Sequence, residues 1–184
     1  GAPVDFVTGP VADAHLPAAP GIAVRRVTTA REMLAAASPL ARRANLVILA
    51  AAVADVAPAR PRTAKASKSS LGRSLPLTPT PDIAATLAAA RRPGQVFIGF
   101  ALEGAGGRAR AARKLAAKDL DAIVLNDTAS PGADSASFAW LARTRGARWT
   151  AWGRLDKAGC ARRILDGAAR LAPPPSSPSK KGND

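Results

Sequence analysis

The chain has 184 residues and a mass of 18.7 kDa, the length of one ordinary domain, which excludes an assembly of several domains. Its net charge of +14 attracts polyanions such as nucleic acid, nucleotide phosphates or acidic membranes. One cysteine and one histidine exclude a disulfide framework and a Cys/His zinc site. The sequence shows neither a long apolar span nor a signal pattern, so we expect a cytoplasmic protein without a membrane partner.

The N-terminal segment predicts two short strands followed by a helix. Apolar runs at 4–8 and 23–27 are typical of strands, the first ending in a Gly-Pro loop. Thr29 and Glu32 have the spacing of a capping box, in which the two residues cap a helix start reciprocally. We expect that helix to continue to about Arg43.

The next segment predicts a buried strand, a long loop and a second helix. The unbroken apolar run 45–52 is typical of a strand covered on both faces, as in parallel sheets. The stretch after Asp55 is rich in proline and serine and has no apolar period, so it is either disordered or a functional loop. Thr80 as the cap and Pro81 in the first helical position then predict a helix to Arg92.

Strands and helices continue to alternate through the rest of the chain. This alternation predicts an α/β fold, a doubly wound, mainly parallel Rossmann-like sheet with a C-terminal β-hairpin and helix. We expect one domain over residues 1–172 and a disordered, Pro/Ser/Lys-rich tail over 173–184. The later elements are predicted as strand 95–101, basic helix 108–118, strand 121–127, a hairpin of 136–142 and 147–152, and helix 156–171.

Polar residues follow three of the predicted strands, where ligands of doubly wound folds bind. We expect these strand ends to converge on one crevice. Lysine is scarce in this chain, yet four lysines fall in the long loop and the basic helix, and a compact ammonium suits phosphate oxygens. Lys114 and Lys118 are spaced i, i+4 and so share a helix face. The strand-end residues are Asp55, Glu103, Asn126 and Asp127, and the other two lysines are Lys65 and Lys68.

Five segments in this order and spacing resemble phosphopantothenate–cysteine ligase, also called phosphopantothenoylcysteine synthetase. The opening GAPVDFVTGP resembles that family's second strand, so the resemblance covers residues 1 to about 171. The five segments are AAVAD at 51–55, Lys65-x-x-Lys68, TPTPDI at 78–83, GFALE at 99–103 and KLAAKDLDAIVLND at 114–127.

The resemblance implies an enzyme of coenzyme A biosynthesis that joins 4'-phosphopantothenate to cysteine. CTP with Mg²⁺ would activate the substrate as an acyl-cytidylate, and no protein nucleophile or resident metal site would be needed. The family implies a homodimer. It also implies an upstream decarboxylase domain or subunit in many bacteria, and a flavin would be present only with such a domain.

The resemblance also assigns roles to individual residues. Lys65 would stabilise charge during cytidylyl transfer, Phe100 would pack on the cytosine, and Lys114 and Lys118 would bind the triphosphate. The complete CTP-binding set implied by the family is Ala50, Ala51, Asp55, Lys65, Thr78, Pro79, Thr80, Pro81, Phe100, Lys114 and Lys118, with Lys68, Glu103, Asn126 and Asp127 at the rim.

The sequence departs from the family pattern in several places. The loop reads Lys65-Ala-Ser-Lys68 where the family usually has Lys-Ile-Lys-Lys. The family's Gly-Phe-Gly-Ser-Asp motif is reduced to PGADS at 131–135. The family's first strand, its Gly-Gly-Thr loop and its Asn-x-Ser-Ser-Gly-Lys segment have no counterpart in this sequence. The phosphopantothenate side of the site is therefore the part that the chain does not match.

Two other functions compete with the ligase. The charge and the Arg-rich helix over 108–114 suggest a non-catalytic basic module that binds nucleic acid or nucleotides, although no nucleic-acid-binding motif is present. An NAD-dependent dehydrogenase would need Gly-x-Gly-x-x-Gly after a strand, which the sequence lacks. Cys160 is interpreted as a buried structural thiol rather than a nucleophile.

Overall fold

A computed structural model describes residues 2–61, 74–104, 106–127 and 135–173. The fold is mixed α/β, which confirms the predicted class, and three helices are interspersed among the strands before a C-terminal hairpin and a fourth helix. The elements are β1 (Val4–Thr8), β2 (Ile22–Arg26), α1 (Ala30–Ala41), β3 (Leu46–Leu49), β4 (Val56–Pro58), β5 (Leu77–Pro79), α2 (Ile83–Ala89), β6 (Val96–Glu103), α3 (Gly107–Ala117), β7 (Ala122–Asp127), β8 (Ser135–Ala142), β9 (Thr150–Asp156) and α4 (Lys157–Leu171).

The described strands form three sheets. β1 and β2 pair in parallel, and β4 and β5 form a small antiparallel ladder. The largest sheet has the order β3-β6-β7-β8-β9, in which β6 and β7 are parallel while β7, β8 and β9 are antiparallel. The parallel strands β6 and β7 are joined through α3, whereas the antiparallel strands β8 and β9 are joined by a short turn, as the geometry of the two connections requires.

The chain divides into two compact units. The first unit comprises Gly1–Ala44 and Leu49–Arg91, and the second comprises Asn45–Ile48 and Arg92–Asp184. In the first unit α1 packs against α2 and β1. The buried side chains on the two helices are Leu40, Ala41, Ile83, Leu87 and Ala88. Two of the five are alanines, which let the helices approach closely, as the composition predicts.

The core of the second unit forms on β6 and its neighbours. Phe97 and Ile98 are completely buried, so β6, rather than β3, is the strand covered on both faces. Ile48 in β3 is 43% exposed, which contradicts the fully buried strand predicted over 45–52. One face of the sheet packs against α4 through a cluster of Val96, Ile98, Ala122, Val124, Trp140, Cys160, Ile164 and Ala168.

The C-terminal hairpin is fixed by an aromatic stack. The rings of Trp140 and Trp152 lie 5.3 Å apart and are inclined by 18°. A Cβ at Gly167 would lie 2.8 Å from Trp140 Cζ2, so glycine allows α4 to pack directly on the indole ring. Cys160 is buried, as predicted, and burial raises the pKa of its thiol.

The structure corrects two predicted elements in the first unit. The long stretch after Asp55 was expected to lack regular structure, yet its two ends pair as β4 and β5. The helix predicted to begin at Pro81, with Thr80 as its cap, begins at Ile83 instead, and it ends at Ala89 rather than Arg92. Its capping residue is Asp82, whose carboxylate accepts a hydrogen bond from the Ala85 N–H at 3.1 Å, a standard N-cap.

The predicted capping box at the start of α1 is confirmed. The Glu32 N–H donates to the Thr29 hydroxyl at 3.1 Å, and the Glu32 carboxylate accepts from the Thr28 and Thr29 N–H groups at 2.8 and 3.3 Å. These backbone hydrogen bonds lower the pKa of Glu32, and the one from the Thr28 N–H has the largest effect. The disordered tail predicted over 173–184 lies outside the described residues from 174 onward.

Candidate functional site

The first unit brings two of the predicted site segments together by backbone hydrogen bonds. The Thr80 N–H donates to the Asp55 carbonyl oxygen at 3.0 Å, and the Thr80 hydroxyl donates to the Ala54 carbonyl oxygen at 2.5 Å. The ladder of β4 and β5 continues this contact by pairing Val56 with Pro79. The segment after β3 and the TPTP segment are therefore neighbours.

Small and exposed residues characterise this part of the first unit. Ala50, Ala51 and Asp55 are exposed, while Thr78, Thr80 and Pro81 are half-buried and Pro79 is exposed. Small side chains leave the backbone accessible to a bound molecule. The Asp55 carboxylate is open to solvent and can accept hydrogen bonds from hydroxyl groups.

The second unit contains a compact ion cluster at the end of β6. Glu103 Oε1 lies 2.6 Å from Lys114 Nζ, and Glu103 Oε2 lies 2.6 Å from Arg110 Nε. The Glu103 side chain is only 11% exposed, whereas the two cations are about half exposed. The hydrogen bond from Lys114, followed by that from Arg110, holds the pKa of Glu103 below its usual range.

Glycine at the start of α3 allows this cluster to form. A Cβ at Gly107 would lie 2.5 Å from Glu103 Cβ, closer than real Cβ contacts. Any other residue would push α3 away from the end of β6. The small residue therefore brings Arg110 and Lys114, one helical turn apart, over the carboxylate.

Lys118 and Phe100 occupy less exposed positions than Lys114. Lys118 is the C-cap residue of α3 and is half-buried. Lys118 therefore lies four residues after Lys114, at the C-terminal end of α3 rather than within the helix. Phe100 is half-buried and packs against the core cluster, so part of its ring area is already used for stability.

Asn126 and Asp127 lie at the end of β7, next to the end of β6. The parallel register pairs Leu102 with Asn126 and Glu103 with Asp127. The Asn126 Oδ1 atom is buried and has no hydrogen-bond partner among the described residues. Unpaired buried acceptors are uncommon because they cost free energy, and they often mark functional sites.

Lys65 and Lys68 lie outside the described residues. Sequence reasoning missed Arg110 as the second partner of Glu103, although its i, i+4 spacing from Lys114 was a usable signal. Sequence reasoning also missed Arg31 of α1, which lines a cavity together with Pro79–Pro81.

The described residues contain neither a candidate metal-binding cluster nor a helix that could span a membrane. Within residues 2–61, 74–104, 106–127 and 135–173, no group of three His, Cys, Asp or Glu residues could hold a metal ion. Among the helices of the described part of the chain, none has the length and hydropathy needed to cross a bilayer.

These observations define a class of protein: an α/β domain in which the end of β6 carries a carboxylate paired with two cations of α3, and the adjacent end of β7 carries a buried amide oxygen without a partner among the described residues. A family model described as the DNA/pantothenate metabolism flavoprotein C-terminal domain matches residues 1–171. The chain therefore belongs to this family, and the resemblance recognised in the sequence is confirmed.

Curated relatives carry two kinds of name. The coenzyme A biosynthesis bifunctional protein CoaBC of Bacillus subtilis is 37% identical over 134 residues, and that of Escherichia coli is 34% identical over 134 residues. A cysteine/cysteine sulfinic acid decarboxylase from an unknown prokaryotic organism is 41% identical over 133 residues. These matches cover 71–72% of this chain and 32–36% of each relative. The chain thus spans about a third of the length of the relatives it matches.

Solved structures share the fold. The C-terminal domain of a CoaBC protein superimposes with a TM-score of 0.72 at 27% identity, covering 91% of this chain and 74% of that one. A DNA/pantothenate metabolism flavoprotein from Streptococcus pneumoniae gives a TM-score of 0.69 at 20% identity, with coverage of 91% and 80%. A Cab2 mutant in complex with phosphopantothenate-cysteine gives 0.63 at 17% identity, with coverage of 82% and 54%. The last two show a shared fold alone.

Proposed function

We propose that this chain is the ligase domain that joins 4'-phosphopantothenate to cysteine with CTP in coenzyme A biosynthesis. The observation that carries the proposal is the family match over residues 1–171. The names of the CoaBC relatives, which refer to coenzyme A biosynthesis, support it further. The relative named as a decarboxylase is matched over a similar share of its length, 36% against 32% for the CoaBC relatives, and its name is the alternative to the coenzyme A assignment.

The proposed reaction consists of two displacements. The carboxylate of phosphopantothenate attacks the α-phosphorus of CTP, forming a P–O bond and releasing pyrophosphate. The amine of cysteine then attacks the carbonyl of the acyl-cytidylate, forming the amide, releasing CMP and losing one proton. Both steps depend on positioning and on neutralisation of phosphate charge rather than on a protein nucleophile.

In this proposal the segments at 50–55 and 78–81 bind the nucleoside part of CTP. Backbone groups at Ala50 and Ala51 approach the nucleotide, and Asp55 accepts hydrogen bonds from the ribose hydroxyls. The segment Thr78–Pro81 lines the base. The hydrogen bonds from Thr80 to Ala54 and Asp55 support these roles, because they hold the two segments in a fixed register before any ligand arrives.

The basic side chains of α3 are the proposed phosphate ligands. Lys114 exchanges its carboxylate partner for triphosphate oxygens, while Arg110 stays on Glu103 and keeps that carboxylate neutralised. Without Arg110, the movement of Lys114 to the phosphate would leave the negative charge of Glu103 unpaired in a position with little exposure to water. Lys118 and Lys65 add further positive charge, with Lys68 at the rim. Phe100 packs on the cytosine with the exposed part of its ring.

Rim residues complete the assignment. Asn126 Oδ1 accepts a hydrogen bond from the ligand, which would satisfy an acceptor that has no partner among the described residues. Asp127 and Glu103 end adjacent strands. Magnesium enters with the substrate as its CTP complex, because Mg²⁺ commonly retains waters and is held by substrate phosphates with few protein carboxylates.

The cellular context is part of the same proposal and rests on the family resemblance. We place the domain in the cytoplasm as a homodimer. In organisms with a fused arrangement, an upstream flavin-dependent decarboxylase domain supplies the next step on the ligase product.

Equilibrium binding of magnesium CTP measured by calorimetry tests the proposal. We expect Lys114→Met to weaken CTP binding about tenfold, since a charge-assisted hydrogen bond to phosphate is lost. Lys157→Met, which removes an exposed lysine at the start of α4, should leave the affinity within about twofold.

Two outcomes contradict this assignment. Equal effects of both substitutions would show that only net charge matters, as expected for a basic module that binds polyanions. Failure of the unsubstituted chain to bind CTP at millimolar concentration would refute nucleotide binding. The release of pyrophosphate on addition of phosphopantothenate then distinguishes a ligase from a domain that only binds CTP.

A further inference from the structure

An open cavity of about 530 Å³ lies within the first unit, between the first turns of α1 and the end of β5. This volume lies within the range of small-molecule sites, and it can hold one heteroaromatic ring with its sugar. The lining residues are Arg31, Leu34, Ala35, Pro79, Thr80 and Pro81. Three of them come from α1, to which the family resemblance assigns no role.

Both walls of the cavity are fixed by local hydrogen bonds. The capping box of Thr29 and Glu32 fixes the start of α1. On the other wall, Thr80 is held through its N–H and its hydroxyl by the carbonyl oxygens of Asp55 and Ala54. The cavity is therefore preformed, which limits the ordering cost of binding.

The chemistry of the lining is mostly apolar with one cation. Leu34, Ala35 and the two prolines present aliphatic surface that suits the faces of a flat ring. The Thr80 hydroxyl proton is already used by Ala54. Arg31 makes no ion pair or hydrogen bond with other described residues, and its guanidinium offers donors only, in a planar fork.

A phosphate group fits this cavity poorly. The N–H groups of Thr28 and Thr29 at the start of α1 are occupied by the Glu32 carboxylate. The pKa of that carboxylate is lowered, so it stays ionised at neutral pH and repels a second anion. The rest of the lining is mostly aliphatic, so a phosphate bound to Arg31 would face apolar surface on its remaining sides. A neutral ring with adjacent acceptor atoms matches the cavity better than an anion does.

We propose that Arg31 determines the base specificity of the nucleotide site. Its fork donates to O2 and N3 of cytosine, two adjacent acceptors, while the ring lies against Leu34 and the prolines. Uracil carries a hydrogen on N3, so its N3–H group would face an N–H group of the guanidinium, and no hydrogen bond could form between them. This inference rests on the proposed function, because it specifies how the same nucleotide site selects CTP.

Binding of magnesium CTP and magnesium UTP to the unsubstituted chain and to Arg31→Met provides the test. We expect the unsubstituted chain to prefer CTP. Arg31→Met should reduce the CTP/UTP preference about tenfold, since a bidentate base contact is lost. Arg31→Lys, which keeps the charge but not the fork, should lose most of the same preference.

A matched control comes from the same unit. Arg25→Met removes an exposed arginine of β2 and should leave the CTP/UTP ratio unchanged. Circular dichroism of each variant verifies that it is folded. Because Arg31 is exposed, neither Arg31→Met nor Arg31→Lys should change the unfolding temperature by more than a few degrees.

Three results would overturn the inference, and they are distinguishable. An unchanged CTP/UTP ratio in Arg31→Met, with CTP still bound, would refute the role of Arg31 and leave the proposed function intact. Equal weakening of CTP and UTP would indicate that Arg31 contacts phosphate or ribose. Absence of binding to the unsubstituted chain would refute the proposed function itself, and the inference with it.

Discussion

Gly99 opens the GFALE segment, and the structure gives it a packing role that makes a sharp prediction. A Cβ at this position would lie 2.5 Å from Leu120 Cδ1, whereas nonbonded carbon atoms prefer a separation of about 3.5–4.0 Å. Leu120 is 2% exposed, so its side chain has little space into which to move. Gly99→Ala therefore overpacks the core of the second unit.

The expected magnitude follows from two opposing effects. Overpacking costs about 1–3 kcal/mol, and replacing a strand glycine by alanine recovers about 0.5–1 kcal/mol of conformational entropy. We expect Gly99→Ala to reduce the free energy of unfolding by about 1–2 kcal/mol. Gly9→Ala is a control, because a Cβ at Gly9 meets nothing within 4 Å, and it should be neutral or slightly stabilising.

A double-mutant cycle with Leu120→Ala tests the cause. Leu120→Ala alone should cost about 2–5 kcal/mol, because it creates a cavity. In that background the clash is gone, so Gly99→Ala should become neutral or stabilising by about 0.5 kcal/mol. Urea denaturation gives each free energy of unfolding. Additive effects in the double variant would refute the packing argument, and would point to a role of Gly99 that does not involve Leu120.

Three further predictions concern the capping residue, the ion cluster and the buried thiol. Asp82→Ala should reduce the free energy of unfolding by about 0.5–2 kcal/mol, because α2 loses its N-cap bond to Ala85; a loss below the error of urea denaturation would contradict that assignment. Since Glu103 has a lowered pKa, its stabilisation is present above its unfolded pKa, near 4.3, and is lost as pH falls through the lower folded pKa. Glu103→Gln should thus cost about 0.5–1 kcal/mol at pH 7 and flatten the loss of stability as the pH falls below the unfolded pKa, whereas an unchanged acid profile would show that Lys114 and Arg110 do not stabilise the carboxylate. Cys160 should react with a thiol reagent only at the rate of unfolding, because burial excludes the reagent and raises the thiol pKa; fast labelling of the native chain would contradict this.

The sequence predicted most strands and helices because hydrophobic periodicity and capping signals are local. The capping box of Thr29 and Glu32 is an example, since all its atoms lie within one helical turn. The hairpin of β8 and β9 was predicted for a similar reason, from two apolar runs around Arg145-Gly146. Such elements depend little on the rest of the chain.

The errors arose where long-range contacts decide the structure. β4 and β5 pair across a long connection, and nothing in either short segment indicates its partner. Thr80 was predicted to cap α2, but its hydroxyl is bonded to Ala54, so Asp82 takes the capping position. Burial of β6 rather than β3 likewise depends on which elements cover each face of the sheet.

The candidate site was predictable in part. The residue types at the strand ends pointed to Glu103 and Lys114, but the ion pair between them depends on how closely Gly107 lets α3 approach. The cavity beside Arg31 could not be predicted, because it forms between two segments that are distant in sequence. The roles of Lys65 and Lys68 stay predictions.

Thermal unfolding of the chain with magnesium and CTP, ATP or GTP in turn tests the central claim most directly. A nucleotide that binds the native state raises the unfolding midpoint by mass action, even where catalysis needs a further segment. The account predicts a rise that is selective for CTP and that increases with its concentration. A cooperative transition with equal or no shifts for all three nucleotides would contradict the account, and would favour a basic module that binds polyanions without selecting among them.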